Sequence, residues 1–513
     1  MANGWHPCNI SRVSVYLLGI DLGSSSVKAS ILDAVSGLRV AEASSPETEQ
    51  EISVPQPGFA EQDPAMWYRN ARLAVRGVMQ TAAVAPEDIK AVGIAYQMHG
   101  LVCVDSNGEV LRPAIIWCDS RAVAHGDAAM AEIGEERCLT HLLNSPGNFT
   151  ASKLAWIKDH QAEIFGRIHR IMLPGDWLAF ALTGRMSTTP SGLSEGVFWD
   201  FHEEAPSAIV LDHFGFDPEL LPEQVPTFGV QGEVTAGAAA EFGLAAGTPV
   251  AYRAGDQPNN AFSLKVLNPG EVAATAGTSG VVYGVSEEKR FDPKSRVNTF
   301  LHVNHATAAP RLGVLLCING AGSINAWTRR LLGDLDYQEM NRLAGQAPVG
   351  SDGLMVLPFG NGAERMLGNR VVGAQIYGLD LNRHGRAHLC RAVQEGVVFS
   401  FHYGMEIMKS VGVIAGTVRA GFANMFQSDV FCDSLASVSG ATIELYDTDG
   451  ALGAARGAGV GAGIYGSLEE AVKTLKKRRV VEPKTGDHQE AYLRWEAHLK
   501  RSLGQSRGTG AGT

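Results

Sequence analysis

The sequence predicts a mixed α/β protein assembled from two related halves. Its 513 residues exceed what one core organises; at about 100–200 residues per domain they favour two to four domains. Strand-like runs (IKAVGIAYQ, RPAIIW, GTPVAYRAGD) alternate with helical ones such as Pro64 to Gln80 and Arg386 to Val411, the pattern of mixed architecture. A hairpin outline occurs twice. Val13 to Leu32 reads as a strand, the small-residue turn LGSSS and a second strand, and Glu271 to Val285 repeats it as EVAATA, the turn Gly277 to Gly280 and VVYGV. Gly23 and Gly277 lie about half the chain apart, so an internal duplication is the economical reading, although small-residue hairpin tips also recur by chance.

The elements follow in order. A weaker small-residue turn, NGAGSINAW, leads into a helical pattern at Asn319. Arg386 to Val411 carries Cys390, Val393, Val397, Phe401 and Met405 at the three- and four-residue spacing of a buried helix face. A junction is expected near Asn260 to Gly270, where AFSLKVL ends in Asn-Pro-Gly, and the tail from Arg507 is expected to be disordered. Lys476 to Arg479 reads as a solvated face.

Composition excludes several classes. Hydrophobic residues make up 45% and charged ones 19%, an ordinary globular profile. The net charge of −11 leaves no cationic excess for nucleic acid or an anionic membrane. Seven scattered cysteines without a C-x-x-C pair read as reduced thiols in the cytosol. Val15 to Ile20 is too short to span a membrane, and the sequons at Asn9 and Asn148 read as chance.

Two carboxylates stand at strand ends beside glycine. Asp21 is followed by Leu22-Gly23-Ser24-Ser25-Ser26, so N–H and hydroxyl donors that suit phosphate cluster near a carboxylate that suits Mg²⁺. The turn Gly277-Thr278-Ser279-Gly280 offers a second donor set, and two such hairpins could clamp a polyphosphate. Asp256 follows VAYRAG and precedes Gln257; it reads as a base or, equally, as a helix N-cap. Gln97-Met98-His99-Gly100 and Trp117-Cys118-Asp119-Ser120-Arg121 follow two further strand-like runs. The Trp would cover the C–H face of a small hydroxylated ligand while His, Asp and Arg read its hydroxyls.

Absent motifs narrow the field. No lysine follows a glycine, which removes the P-loop. Gly457 to Ala462 matches G-x-G-x-x-A inside a helical run and reads as close helix packing, and the G-x-S-x-G match at Gly192 to Gly196 lacks its strand.

LGIDLGSSSVKA, AYQMHG, RPAIIWCDSR, AGDQPNNAF, ATAGTSG, GAER and DTDGALGAARGAG resemble, in order and spacing, the FGGY family of carbohydrate kinases, over about Tyr16 to Ala497. The resemblance implies two actin-like, ribonuclease H-like domains with the active site in the cleft between them: residues 13–265 for the sugar and 266–506 for the nucleotide, followed by the tail 507–513. It implies ATP and Mg²⁺, with Asp256 as base and Asp21 holding Mg²⁺ through water. Gly23, Ser24, Ser25, Gly277, Thr278 and Ser279 would contact phosphates, and Gly322 and Gly421 to Asn424 would face the nucleotide. Met98, His99, Trp117, Asp119, Arg121 and Gln257 would line the sugar pocket.

The implied reaction is phosphorylation of the terminal hydroxyl of a pentulose, D-xylulose first, in the cytoplasm, with an Asp of near-normal pKa sufficing as base. Another ketose or a polyol is the alternative, and a catalytically silent sugar-binding protein a third. For assembly the resemblance allows a homodimer; no membrane or nucleic-acid partner is implied. Three segments depart from the family pattern. These are Gln257; Thr188 to Gly196, which keeps only Glu195 as a carboxylate and is expected at the pocket rim; and Ala420 to Ala423, where Phe422 is expected to stack on adenine or occlude it.

Overall fold

β1 (Tyr16–Leu22) and β2 (Val27–Asp33) form the first predicted hairpin in the computed structural model, which describes residues 15–505. Cys8, Asn9 and the tail 507–513 lie outside the described residues. β3 (Arg39–Ser45), β4 (Ile89–Tyr96), β5 (Phe228–Glu233) and β6 (Pro249–Gly255) complete a six-stranded sheet in the order β5-β6-β4-β1-β2-β3. β1 pairs antiparallel with β2 and parallel with β4, which pairs parallel with β6.

The second hairpin is β7 (Val272–Ala276) and β8 (Gly280–Ser286). With β9 (Asn298–Leu301), β10 (Leu312–Ile318), β11 (Thr417–Gly421), β12 (Thr442–Tyr446) and β13 (Lys477–Val481) it builds a seven-stranded sheet in the order β9-β10-β8-β7-β11-β12-β13. β7 again pairs antiparallel with its hairpin partner and parallel with β11, which pairs parallel with β12. The halves therefore share one strand order, 3-2-1-4-5, around each hairpin. That is the duplication read from the two small-residue turns.

Four helices place the site. α1 (Asp256–Ser263) leaves the end of β6, α2 (Ala321–Leu331) follows the small-residue turn at Asn319, α3 (Arg386–Ser410) covers the second sheet, and α4 (Gly450–Gly461) lies far down the chain. Val393, Val397 and Phe401 of α3 pack on Val272, Val282 and Leu316 of the second sheet.

β1 reads as a nearly unbroken apolar run because both of its faces are covered. Leu18, Ile20 and Leu22 meet Trp67, Ala71 and Val75 of the helix Pro64–Ala82. Leu17 faces α4 with Leu452, Ala455 and Ala458. With a period of two, Gly19 and Asp21 share Leu17's face. A Cβ on Gly19 would stand 1.8 Å from the Ala451 carbonyl oxygen, and one on Gly93 of β4 would stand 2.0 Å from that of Ala454. The backbone of α4 therefore rests directly on the first sheet, although it belongs to the C-terminal half. Gly457 and Gly461 approach Tyr252 and the Ala251 carbonyl equally closely, the helix packing expected of the G-x-G-x-x-A run. Gly19→Ala is expected to lift α4 and cost about 3 kcal/mol, which a thermal melt against wild type reads directly.

A further cluster joins the halves. Leu193 and Phe198 of the first half share a core with Tyr283, Phe300 and Leu301 of the second. Ser194 Oγ accepts from Leu301 N–H at 3.0 Å, and Asn144 Nδ2 donates to the Thr299 carbonyl at 2.7 Å. One side of the cleft is thus stitched by buried polar bonds.

Candidate active site

The carboxyl ends of β1, β4 and β6 deliver Asp21, Met98–His99 and Asp256 to one edge of the first sheet. The register that turns Asp21 towards α4 sets it against that helix's N-terminus: a Cβ on Gly450 would lie 2.3 Å from Asp21 Oδ2. Asp449 caps the same helix by accepting from Leu452 N–H at 2.9 Å and pairs with Arg39 at 2.5 Å. Burial pushes the Asp21 carboxyl up to about 6, Lys28 across the hairpin opposes the rise, and Asp449 adds to it.

Asp256 is the first residue of α1, with Gly255 at the N-cap position. It is therefore not the cap itself. Burial pushes its carboxyl up to about 7, the charge of Asp21 adds to the rise, and the backbone amide and side chain of Gln257 oppose it. This corrects the expectation of a near-normal pKa: a carboxylate at the floor of a cleft, beside another carboxylate, holds its proton more tightly. A carboxylate so placed accepts a proton at neutral pH more readily than an ordinary Asp.

The first hairpin tip is tied down from behind. Gln50 Nε2 donates to the Gly23 carbonyl at 2.8 Å, Gln62 Nε2 to that of Ser24 at 2.8 Å, and Gln50 N–H to that of Ser25 at 2.7 Å. With those carbonyls engaged, the tip presents N–H and hydroxyl groups, as an anion requires. In the second tip, Thr278 C=O accepts from Ser323 N–H at 3.1 Å and Ser323 Oγ at 3.2 Å. Gly322 serves by lacking a side chain, since a Cβ there would stand 1.9 Å from the Gly277 carbonyl oxygen. Asn424, in the left-handed region at φ 52°, brings Nδ2 within 3.6 Å of where a Gly277 Cβ would be. Gly277, Thr278, Gly322 and Asn424 thus meet, with Gly421 at the end of β11 opening the same turn. The Arg478 guanidinium lies over one face of the Phe422 ring at 4.1 Å.

Met98 is buried beside Gly255. His99, in the left-handed region at φ 61°, has Nδ1 2.8 Å from the Glu195 carbonyl oxygen. A carbonyl only accepts, so Nδ1 carries the proton and Nε2 presents a lone pair. Burial holds the ring neutral by pushing its pKa down to about 3. The Lys153 ammonium, which composition and spacing did not single out, donates to the His99 carbonyl at 2.8 Å; burial lowers it to about 8. Trp117 is the exposed ring of the set at 42%.

Asp119 and Arg121 do not read hydroxyls. The Asp119 carboxylate takes Arg121 Nε and Nη2 and the Ala60 amide, while Arg121 also pairs with Glu61 at 2.7 Å and lies over Phe59 at 3.8 Å. Both side chains are sealed, at 0% and 1% exposure. They hold the loop that carries Trp117. Glu195 is likewise not at a rim. It is buried, with Oε2 2.6 Å from where a Gly255 Cβ would stand, and burial pushes its carboxyl well up against the opposing Tyr96 hydroxyl. It lies behind the floor that carries Asp256.

Two lobes of one strand order, with carboxylates and donor-rich turns at their facing edges, define an actin-like phosphotransferase. Residues 16–263 match the N-terminal domain of the FGGY family of carbohydrate kinases and residues 272–462 its C-terminal domain. The chain is 30% identical over 464 residues to the xylulose kinase of Escherichia coli (strain K12), covering 89% of this chain and 92% of that relative. It is 29% identical over 469 residues to the xylulose kinase of Bacillus subtilis (strain 168), covering 89% and 90%. The solved xylulose kinase from Rhodospirillum rubrum matches with a TM-score of 0.83 at 27% identity, over 96% of this chain and 99% of that one. The chain belongs to the FGGY family of carbohydrate kinases and is an ATP-dependent sugar kinase.

Proposed function

We propose that this enzyme transfers the γ-phosphoryl group of ATP to the terminal hydroxyl of a pentulose, D-xylulose first. The observation that carries the reading is Asp256, a carboxylate with a pKa near neutrality, at the strand edge that also presents the neutral His99 lone pair; the xylulose kinases among the relatives name the sugar. Asp256 accepts the hydroxyl proton as the P–O bond forms, and the Met98–His99 segment fixes the acceptor. The N–H groups and hydroxyls of Ser24, Ser25, Gly277, Thr278 and Ser279 surround the transferred phosphoryl and balance its charge, while Gly23 shapes the first tip by donating its N–H to the Ser26 carbonyl at 3.1 Å. Gly322, Gly421 and Asn424 border the nucleotide.

Asp21 fits Mg²⁺. Its carboxylate shares its surroundings with Asp449 and Asp256, an excess of negative charge that burial makes costly. An ion there would be held by this one carboxylate through water together with nucleotide phosphates. Bound there, Mg²⁺ supplies charge neutralisation at the phosphates.

Residues 13–265 are assigned to the sugar and 266–506 to the nucleotide, with α4 of the second segment seated on the first sheet. Among the described residues six cysteines are free and no helix is long and apolar enough to cross a membrane; the free thiols suit a reducing, cytoplasmic setting. A homodimer is the proposed assembly. A second reading, another ketose or a polyol, is favoured by Gln257, whose side chain touches Asp256. Coupled ADP release with D-xylulose, L-xylulose, D-ribulose, L-ribulose and glycerol separates the two. D-xylulose is expected to give the highest kcat/KM; faster turnover of ribulose or glycerol sinks the first reading.

A further inference from the structure

Arg365 opens a short turn after the strand Met355–Glu364 of the second lobe. Its guanidinium reaches the first lobe, where its carbon lies 5.5 Å from the centre of the Phe149 ring. That ring meets His99 edge-on at 4.9 Å, and Phe300 stands 5.2 Å from His99. Arg365 is half-buried, and burial lowers its pKa, opposed only by Cys317. Among the described residues no carboxylate pairs with it and no hydrogen bond engages its N–H groups. Its neighbour Glu364 is committed elsewhere, accepting from Asn319 N–H at 3.1 Å. The buried arginines of the first lobe pair with carboxylates, Arg112 and Arg121 with Glu61 and Arg253 with Asp176, and the buried Arg456 of the second lobe donates to Thr448 Oγ1 at 3.0 Å. A half-buried guanidinium without a protein partner keeps its donors free for a ligand.

We propose that Arg365 is a specificity residue that donates hydrogen bonds to the carbonyl end of a ketose and so selects it over the matching polyol. This rests on the pentulose reading above. The guanidinium offers donors and no acceptor, whereas His99 Nε2 offers a lone pair. A ketone oxygen accepts from Arg365 and brings no proton, and the neighbouring hydroxyl donates to His99. A polyol puts a hydroxyl where the ketone was, and its extra proton meets the Phe149 and Phe300 rings, which offer no comparable acceptor. A polar group left unpaired in an enclosed site is what separates close analogues.

The test measures Kd for D-xylulose and xylitol by calorimetry, with Tm, on wild type and Arg365→Met. Arg365→Met is expected to weaken D-xylulose by about 30-fold, the worth of a charged hydrogen bond. Xylitol should change by less than about threefold, and Tm should hold or rise because an unpaired cation has been removed. Equal loss for both ligands, or a lowered Tm, would make Arg365 a structural residue and overturn the inference. Failure of the pentulose reading shows separately, on the wild type: if it binds xylitol as tightly as D-xylulose, both proposals fall.

Discussion

Asp256→Asn is expected to lower kcat about 10³-fold while sugar affinity changes little. Asn keeps the shape and the contact with Gln257 but cannot take a proton. The loss therefore falls on the step in which the hydroxyl proton leaves, and KM is largely spared. The pH profile supplies an independent readout. Because burial and Asp21 push Asp256 up to about 7, the base is protonated below that value. Wild-type kcat/KM should then fall about tenfold per pH unit as pH drops below about 7 and level off above it. In Asp256→Asn that rise should vanish. A variant with near-normal kcat, or an unchanged profile, would reduce Asp256 to a residue at a helix start. Steady-state kinetics over about 1.5 pH units either side of about 7 reads both.

Asp21→Asn is expected to raise the Mg²⁺ concentration for half-maximal activity by at least about tenfold and to lower kcat about 10²-fold at saturation. Asp21 stands where β1 meets the N-terminus of α4, a position its alternation with Gly19 and Leu17 dictates. Removing its charge also relieves Asp256, whose pKa should fall towards the ordinary Asp range, shifting the acid limb of the pH profile to lower pH. A Mg²⁺ titration superimposable on that of wild type would remove the metal role.

The hairpins and long helices were legible because local chemistry decides them. Period-two alternation and Gly/Ser tips produce β1–β2 and β7–β8, and three- and four-residue spacing produces Arg386–Ser410. What the sequence hid is decided by partners distant in the chain. Asp119 and Arg121 could face a ligand or each other, and Glu61, Phe59 and Ala60 settle the matter by enclosing them. Glu195 could stand at a rim or beneath the floor, and the helix Pro190–Glu195 presses it against Gly255. Phe422 is met by Arg478 because β12 pairs with β13 and β11 with β12. Small residues in α4 announced close packing, but nothing local says that the surface packed against is the first sheet. Arg365 drew notice only within a longer motif; its lack of a partner is a three-dimensional property.

On the proposed function the cleft moves a phosphoryl group from ATP to the hydroxyl at the end of the sugar remote from the carbonyl. Two-dimensional proton–phosphorus correlation of the product from D-xylulose and ATP-Mg tests it directly. The expected product is a phosphomonoester correlated to a methylene whose protons couple to a neighbouring C–H. Correlation to the isolated methylene beside the carbonyl, or a spectrum showing inorganic phosphate alone, would contradict it.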